Sequence, residues 1–369
     1  MQHLLDLTLE EFREACAEHG RRPYLAEQVL GWIHRQGTTD FQAMTNVSQM
    51  DRDWLDDNFT IFRSRIDRAQ TASDGTLKIL LGWDPPADQS LPQVGQDSTL
   101  RQTETVMIPT AKRRTACVSS QVGCPVGCRF CASGLGGLEG NLTAGQIVEQ
   151  VLRLSQEEEV GRITNIVFMG MGEPLANDRS VMKAIRILNA DWGPAIGARH
   201  ITVSTVGLPK AIRRFARFDL PVTLALSLHA PNDDLRRALI PWADYSTIDE
   251  LTSACQAWFQ TSGREITLEY LLLREVNDRV EHARQLAKIA STLRAKINLI
   301  RYNEVRGLPY QRPSTVDVRE FQRVLRRHGV NATIRASRGR DIAAACGQLR
   351  HETRTDQPGV MPTEHSPQE

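Results

Sequence analysis

Residues 123–131 read GCPVGCRFC and place Cys124, Cys128 and Cys131 in a C-x3-C-x2-C array, with Phe130 just before the last cysteine. Three thiolates can hold three irons of a 4Fe–4S cluster, because cysteine thiolate is the usual cluster ligand. The fourth iron of the cubane then has no protein ligand and is open to a small chelating molecule. An open position is typical of a reactive metal site rather than a structural one.

This spacing, together with the aromatic residue, resembles the radical S-adenosylmethionine (SAM) superfamily, in which the open iron binds the amino and carboxylate groups of SAM. The alternative is a zinc site. Zinc-binding pairs are usually spaced C-x2-C or C-x4-C, and a closed site needs a fourth ligand. The nearby candidate for that ligand is Cys117, which the sequence pattern places on a strand. The spacing therefore favours the cluster over zinc.

Composition sets the class of protein. The chain has 369 residues, 41% of them apolar, which suits one large α/β domain with an accessory domain. No apolar run approaches the roughly 18 residues of a membrane-spanning helix, and the N-terminal MQHLLDLTLEEF is acidic where a signal peptide is basic. We therefore expect a cytoplasmic protein with no membrane partner. There, seven cysteines favour metal binding or redox catalysis over a disulfide framework.

The charge distribution is uneven although the net charge is only +1. Residues 301–350 contain eleven arginines and no lysine, against four acidic residues. Such an excess either faces phosphates or forms solvated helix faces, and charge alone leaves both open.

The predicted elements divide the chain into four segments. Residues 1–60 are predicted to form a helical accessory domain, in which Thr8 and Glu11 make a capping box. Residues 61–110 are β-rich, with a turn at 73–75 and a loop rich in Pro, Asp and Gln at 84–98. Residues 111–350 alternate strands and helices, and residues 351–369 are predicted to be a disordered tail.

The alternating segment predicts an α/β fold, a partial (βα) barrel of parallel strands. The first strand precedes the cysteine array, and the helix after the array has a capping box of Thr143 with Gln146. The predicted strands cover residues 115–120, 165–169, 200–204, 222–228, 266–273, 296–300 and 332–335. Further helices are predicted near residues 178–190, 208–217, 248–262, 278–293 and 317–328.

Mostly polar residues follow successive strands, where a barrel places its ligand contacts. The second strand ends in MGMGEP, residues 169–174, whose glycines allow close approach of the backbone and whose Glu173 can accept hydrogen bonds from an ammonium or a ribose. Taken singly, each such residue is more often a capping or turn residue. The candidates are Gly172, Glu173, Ser204, Ser227, Leu228, His229 and Asn303.

Two cysteines outside the array are further candidates for reactive residues. Cys117 lies on the first strand, and Cys346 lies with Gly347 in a predicted turn at the barrel mouth. Cys346 could act as a nucleophile if its surroundings lower its pKa. The alternative is that a lone cysteine is a small buried hydrophobe, which is our expectation for Cys16 and Cys255.

From residue 4 to about residue 350 the chain resembles the RlmN-like adenine-C2 methyltransferases, a family of bacterial dual-specificity RNA methyltransferases. The resemblance depends on several segments found together in one chain. These are LLDLTLEEFREACAEHGRRPYLAEQVLGWIH, SDGTLK, ETVMIP, CVSSQVGCPVGCRFC, MGMGEPL, SLHAPND, KINLI and RGRDIAAACGQL.

The resemblance implies a two-SAM reaction. One SAM methylates the cysteine that matches Cys346. A second SAM, on the cluster held by Cys124, Cys128 and Cys131, is cleaved to a 5′-deoxyadenosyl radical that takes hydrogen from the S-methyl group. The carbon radical adds to C2 of adenine, and the cysteine matching Cys117 resolves the adduct through a transient disulfide with Cys346. A glutamate matching Glu104 is the proton acceptor.

The resemblance also implies the partners and contacts. The substrates are the peptidyl-transferase-centre adenosine of 23S ribosomal RNA and the adenosine 3′ to certain tRNA anticodons, bound in part by the N-terminal helices. An electron donor such as flavodoxin serves the cluster, and we expect a monomer. The implied SAM contacts are Gly172, Glu173, Ser204, Ser227, Leu228, His229 and Asn303.

Two alternatives stay open on the residues alone. A C8-adenine 23S rRNA methyltransferase shares all the catalytic parts, although the N-terminal segment favours C2. A non-catalytic RNA-binding zinc protein is the alternative of a different class.

Overall fold

A computed structural model gives the fold of residues 1–83 and 101–349, which are the described residues. The loop predicted at 84–98 and the tail predicted at 351–369 lie outside the described residues. The described part contains no helix with both the length and the hydrophobicity to span a bilayer.

Three helices form most of the N-terminal segment, as predicted: α1 (Leu9–Glu18), α2 (Tyr24–Gln36) and α3 (Gln49–Asn58). The predicted capping box is confirmed, because Thr8 accepts from the Glu11 amide and the Glu11 carboxylate accepts from the Thr8 amide. The strands β1 (Gln2–His3) and β2 (Phe59–Thr60) pair in parallel and bring the two ends of this segment together.

The β-rich segment is part of the main sheet. Strands β3 (Ser64–Thr71), β4 (Leu77–Trp83) and β5 (Arg101–Pro109) form an antiparallel run, with the predicted turn at 73–75 between the first two. β5 then pairs antiparallel with β6 (Arg114–Cys117), the first strand of the alternating segment. The small β extension is therefore hydrogen-bonded directly to the barrel sheet.

The seven strands predicted for the barrel are all present and run parallel. The strands of this sheet after β6 are β9 (Asn165–Phe168), β10 (Ile201–Thr205), β11 (Thr223–Ser227), β12 (Ile266–Leu272), β13 (Ala295–Arg301) and β14 (Ala332–Arg335). The ten-stranded sheet has the order β14-β13-β12-β11-β10-β9-β6-β5-β4-β3, and within the described residues β14 and β3 are its edges, which agrees with a partial barrel.

The helices predicted between these strands are also present. They are α4 (Ala144–Gln156), α5 (Asp178–Asn189), α6 (Pro209–Phe215), α8 (Ile248–Ser262), α9 (Val280–Ser291) and α10 (Thr315–Arg327). The helix α7 (Asp233–Leu239) and the hairpin of β7 (Gln121–Gly123) with β8 (Leu138–Asn141) were not predicted. These elements are seven residues long or shorter, so they carry too little hydrophobic periodicity to be recognised.

The N-terminal segment and the barrel share one hydrophobic core. Buried residues of α1 to α3, such as Phe12 and Leu30, belong to the same cluster as Ile147 of α4 and Leu268 of β12. A buried polar contact reinforces this junction, because the Glu149 carboxylate of α4 lies 3.3 Å from His3 Nε2.

Breaking the His3–Glu149 contact should destabilise this junction. Burial opposes both charges. Interaction with Asp6, and next with Glu149, nevertheless raises the pKa of His3 above its ordinary value of 6.5, and interaction with His3 lowers the pKa of Glu149 below its ordinary value of 4.5. The stabilisation from His3 is lost as pH rises through its raised pKa, and that from Glu149 is lost as pH falls through its lowered pKa. Both contribute fully between about pH 4.5 and 6.5.

We therefore expect Glu149→Gln to lower the free energy of unfolding by about 3–5 kcal/mol in that pH window, because one partner of a buried pair is removed. Urea denaturation as a function of pH measures the loss, with the exposed Glu14→Gln as the control. An unchanged free energy across the window would show that the contact is not a stabilising pair.

Candidate active site

The cysteine array follows β6 and precedes α4, as predicted, and lies on the loop between β7 and β8. Gly123, at the start of this loop, has φ +73°, and a Cβ there would lie 2.0 Å from the Gly137 carbonyl oxygen. The loop therefore needs a glycine at this position to turn the chain towards the barrel mouth.

The three thiols of the array line a single cavity at the carboxyl ends of the strands. Burial raises the pKa of Cys124 to about 12 and that of Cys128 well above its ordinary value, and repulsion from Cys131 adds to both effects. Thiolates in this cavity need a strongly positive partner, and a bound metal centre deprotonates its thiol ligands outright.

The donor set of this cavity matches the prediction from the sequence. Three thiols line it together, and cysteine thiolate is the usual ligand of an iron–sulfur cluster. Cys124, Cys128 and Cys131 would therefore hold a 4Fe–4S cluster with one iron left without a protein ligand.

The strand end MGMGEP brings Glu173 into the same cavity. Gly172 has φ +102°, and a Cβ there would lie 2.7 Å from the Gln121 Cβ, so only glycine fits. The Glu173 carboxylate accepts hydrogen bonds from the amides of Leu175 (3.0 Å) and Val206 (2.8 Å). Burial raises its pKa to about 6. Each oxygen keeps a lone pair for a ligand donor.

The predicted SAM contacts are mostly brought together. Five of them line the cysteine cavity: Gly172, Glu173, Ser204, Ser227 and His229. The other two lie elsewhere. The Leu228 side chain packs in the main hydrophobic core, which leaves its backbone for any contact, and Asn303 lines a neighbouring cavity.

His229 faces the cavity as a neutral imidazole. Its Nδ1 accepts a hydrogen bond from the Leu271 amide at 3.1 Å, and its ring meets Phe130 edge-on with the centroids 5.2 Å apart. Burial lowers the pKa of His229 to about 3, helped by the charge of Arg236. His229 therefore contributes a fixed, uncharged side chain to the lining of the cavity at physiological pH.

The neighbouring cavity has a volume of about 620 Å³ and contains both remaining candidate cysteines, Cys117 and Cys346. This volume lies within the roughly 300–1,000 Å³ typical of small-molecule sites. Cys346 lines both cavities, so its side chain stands where they meet. The structure therefore brings together two thiols that lie at opposite ends of the barrel sequence.

The loop of Cys346 is anchored on the cysteine array. The Gly347 carbonyl accepts from the Ala132 amide at 2.8 Å, and the Leu349 carbonyl accepts from the Ser133 hydroxyl at 2.7 Å. Asn303 Nδ2 donates to the Cys346 carbonyl at 3.3 Å. These contacts hold the Cys346 turn at the barrel mouth, as predicted.

All seven cysteines are free thiols, so the disulfide expected between Cys117 and Cys346 is not formed in this structure. Cys117 is deeply buried, which raises its pKa to about 12, and repulsion from Cys346 adds to the rise. Both thiols line the neighbouring cavity, and a pairing between them stays a prediction.

Glu104 lies apart from the cavity linings. Its carboxylate is buried and pairs with Lys78 Nζ at 2.8 Å, between β4 and β5. Glu104 shares its sheet face with Val106, which is the register partner of Cys117, and Lys78 Nζ also contacts the Ala343 carbonyl at 3.5 Å. The pair is therefore in contact with the segment of chain that leads to Cys346.

Two charged residues of the second cavity were missed by sequence reasoning. Arg335 at the end of β14 lies near both thiols: the pKa of its guanidinium is raised chiefly by the charge of Cys346, against the effect of burial. Glu269 lines both cavities from the middle of β12. For Glu269, the available signal was a charged residue inside the mostly apolar segment ITLEYLL, because a buried charge needs a functional or pairing reason.

The arginines that the structure describes between residues 301 and 349 lie in different surroundings. Those of α10 are exposed to solvent, whereas Arg335 lines the second cavity and Arg312 donates to Asn303 Oδ1 at 2.9 Å. The alternative of a solvated helix face therefore applies to the α10 arginines, and contact of the other arginines with phosphates stays a prediction.

Removing the charge of Glu173 should weaken SAM binding. We expect Glu173→Gln to raise the Kd for SAM by about 10- to 150-fold, the equivalent of one charge-assisted hydrogen bond of about 1.5–3 kcal/mol, and to leave RNA affinity unchanged. Equilibrium binding of SAM to the reconstituted protein measures this, with the exposed Glu281→Gln as the matched control. Equal SAM affinities for the variant and the control would remove Glu173 from the SAM site.

Family models match two parts of the chain. The model described as the radical SAM superfamily matches residues 118–287, and the model described as the ribosomal RNA large subunit methyltransferase N-terminal domain matches residues 2–61. The matches correspond to most of the barrel and to the N-terminal helical segment.

Similar proteins match nearly the whole chain. A probable dual-specificity RNA methyltransferase RlmN from Gloeobacter violaceus is 44% identical over 350 residues, 95% of each chain. One of the same name from Synechococcus sp. is 45% identical over 365 residues, 97% of this chain and 98% of its own. The crystal structure of a radical SAM methyltransferase from Sphaerobacter thermophilus superimposes with a TM-score of 0.88 at 42% identity, covering 95% of this chain and 99% of its own.

Proposed function

Since the chain belongs to the RlmN family of radical SAM RNA methyltransferases, we propose that it methylates C2 of adenosine in two RNAs through a methyl-cysteine intermediate. The RNAs are 23S rRNA, at the peptidyl-transferase centre, and tRNA, at the adenosine 3′ of the anticodon. The dual-specificity names of the relatives support two RNA substrates.

One observation carries the methyl-cysteine mechanism: Cys346 lines both cavities. On one side lie the three array thiols and the polar strand ends proposed to bind SAM. On the other side lies a larger, polar cavity that contains Cys117. A thiol at this junction can receive a methyl group on one side and present it on the other.

Cys124, Cys128 and Cys131 would hold the 4Fe–4S cluster, and Gly172, Glu173, Ser204, Ser227 and His229 would surround SAM in the same cavity. We place Leu228 there through its backbone and Asn303 through its contact with the Cys346 loop. When bound, the cluster and SAM supply a methyl group and a hydrogen-abstracting radical, the chemistry that an unactivated aromatic carbon such as adenine C2 requires.

The remaining steps are assigned to residues of the second cavity. Cys346 carries the methyl group and remains joined to the base after addition. Cys117, in the same cavity, attacks the Cys346 sulfur to release the product. Glu104 is proposed as the acceptor of the C2 proton. In the resting structure it is paired with Lys78, so this role requires the pair to separate when the substrate enters.

The domain roles follow from the same arrangement. We propose that residues 1–60 bind RNA beside the barrel of residues 111–350 and that residues 61–110 connect them through the sheet. The match of residues 2–61 to an N-terminal domain of ribosomal RNA methyltransferases supports this. We also propose a cytoplasmic monomer that takes electrons from a donor such as flavodoxin.

Mass spectrometry of nucleosides from rRNA and tRNA, in cells with and without this protein, tests the function. We expect 2-methyladenosine to disappear from both RNAs in cells that lack the protein. Loss of 8-methyladenosine instead would establish the C8 alternative. A colourless protein after anaerobic reconstitution with iron and sulfide, without methyl transfer, would support the zinc protein.

A further inference from the structure

A row of polar side chains crosses three neighbouring strands of the barrel, β12, β13 and β14. Glu269 on β12 is the register partner of Asn298 on β13, and Asn298 is the partner of Thr333 on β14. Since register partners share a face of a parallel sheet, the three side chains point to the same side. The row therefore lies along the wall of the second cavity, which Glu269 and Asn298 both line.

This row fixes one oxygen of the Glu269 carboxyl group. Thr333 Oγ1 donates to Asn298 Oδ1 at 2.8 Å, and Asn298 Nδ2 donates to Glu269 Oε1 at 2.9 Å. The chain of bonds orients the carboxyl group so that its second oxygen has a defined direction. Such an arrangement is typical of a preorganised recognition group.

The second oxygen, Glu269 Oε2, has no hydrogen-bond partner among residues 1–83 and 101–349. The residue is only 3% exposed. An unpaired buried carboxylate oxygen is costly, and such groups are retained where a ligand completes them. Burial raises the pKa of Glu269, while Arg335 and Lys296 oppose the rise.

The position of Glu269 indicates which ligand completes it. The carboxyl group lines the junction of the two cavities together with Cys346, and Asn298 holds it from the side of the cavity that also contains Cys117. A base whose C2 is attacked from Cys346 must lie in this second cavity. The exocyclic amine of adenine is separated from C2 by N1 and C6 alone, so the amine stays close to the reacting carbon.

We propose that Glu269 is a specificity-determining residue whose free carboxyl oxygen accepts a hydrogen bond from the exocyclic amine of the target adenine. The proposal rests on the proposed function. It explains selection of adenine, because guanine and hypoxanthine present a carbonyl oxygen at that position and two acceptors repel each other. A site built to bond a substrate N–H rejects analogues that lack it.

The test uses the full-length enzyme with a reconstituted cluster and RNA stem-loops carrying adenine, purine or hypoxanthine at the target position. Purine lacks the exocyclic amine. We expect wild type to transfer methyl to purine with kcat/KM about 10- to 100-fold below adenine. Glu269→Ala should lose a similar factor on adenine and treat adenine and purine alike.

Glu269→Gln keeps the shape and one acceptor and adds a donor, so it should recover part of the adenine rate and accept hypoxanthine better than wild type does. The matched control is Glu265→Gln, an exposed glutamate just before β12, which should keep the wild-type ratio. SAM affinity and methylation of Cys346, measured by intact-protein mass, should be unchanged in all variants and show that they are folded.

Three results would overturn the inference. The first is an equal rate of wild type on adenine and purine. The second is undiminished discrimination between adenine and purine by Glu269→Ala, or between adenine and hypoxanthine by Glu269→Gln, and the third is a loss of SAM affinity in these variants that accounts for their lower rates. The last result would assign the carboxyl group to SAM. Failure of the proposed function is distinct, because wild type would then give no methyladenosine on the adenine RNA at all.

Discussion

Cys117→Ala should accumulate as a covalent protein–RNA adduct, whereas Cys346→Ala should form none. The two thiols line the same cavity, and Cys346 alone of the two also lines the cavity of the cysteine array. Without Cys346 there is no carrier for the methyl group. Without Cys117 the carrier remains joined to the base, because the second thiol of the larger cavity is gone.

The release step accounts for this asymmetry. The adduct must first lose its C2 proton and its unpaired electron, for which a bound 4Fe–4S cluster would be the acceptor. The thiolate of Cys117 then attacks the Cys346 sulfur, the sulfur–carbon bond breaks, and the electron pair stays with the carbon, which takes a proton and becomes the methyl group. The Cys117–Cys346 disulfide is the second product, and a dithiol reductant returns both thiols.

Denaturing gels of each variant purified from cells, before and after ribonuclease treatment, measure the adduct. Cys255→Ala is the matched control, because Cys255 is a buried packing cysteine on α8, and it should form no adduct and keep turnover. A ribonuclease-sensitive slow band from Cys346→Ala, or normal turnover without a band from Cys117→Ala, would refute the two-cysteine mechanism.

Replacing any one of Cys124, Cys128 or Cys131 with alanine should abolish cluster binding and all methyl transfer while leaving the fold largely intact. The three thiols line the cavity that also contains Glu173, and Cys346, the fourth thiol of that lining, is assigned to carry the methyl group. The loop of the three thiols packs in a smaller apolar cluster apart from the main core. A cubane held by two thiolates would be labile, since each cysteine secures a separate iron.

Iron and sulfide content, the visible absorption spectrum and reductive SAM cleavage after anaerobic reconstitution measure this loss. Cys16→Ala in the buried N-terminal core is the control and should bind a full cluster. Circular dichroism should show a folded chain in every variant. Full iron content with SAM cleavage in any array variant would mean that another residue supplies the ligand.

Much of the fold could be predicted because the signals are local. The cysteine spacing, the Gly-rich strand end, the capping boxes of Thr8 and Thr143 and the alternation of seven strands with helices are all patterns within short windows. The parallel order then follows from the connections. Short elements such as α7 and the β7–β8 hairpin could not be predicted, since their stability depends on packing beside the cysteine loop.

The site could be predicted less completely, because the direction in which a side chain points depends on strand register. Neighbouring residues of a strand end point to opposite sides, so the sequence could not show that Ser227 and His229 face the cavity while Leu228 packs into the core. It also could not reveal the Glu104–Lys78 pair, which depends on how β4 aligns with β5.

By itself, the sequence determined the order of the βα units and the family and predicted the cluster ligands, because each of these depends on motifs of contiguous residues. Only the tertiary structure decided that Cys117 and Cys346 share one cavity, that Cys346 also faces the cysteine array, and that Glu269 presents an unpartnered oxygen beside them. These facts join residues far apart in the chain, and such proximity exists only once strand order and register have been set by burial of the common core.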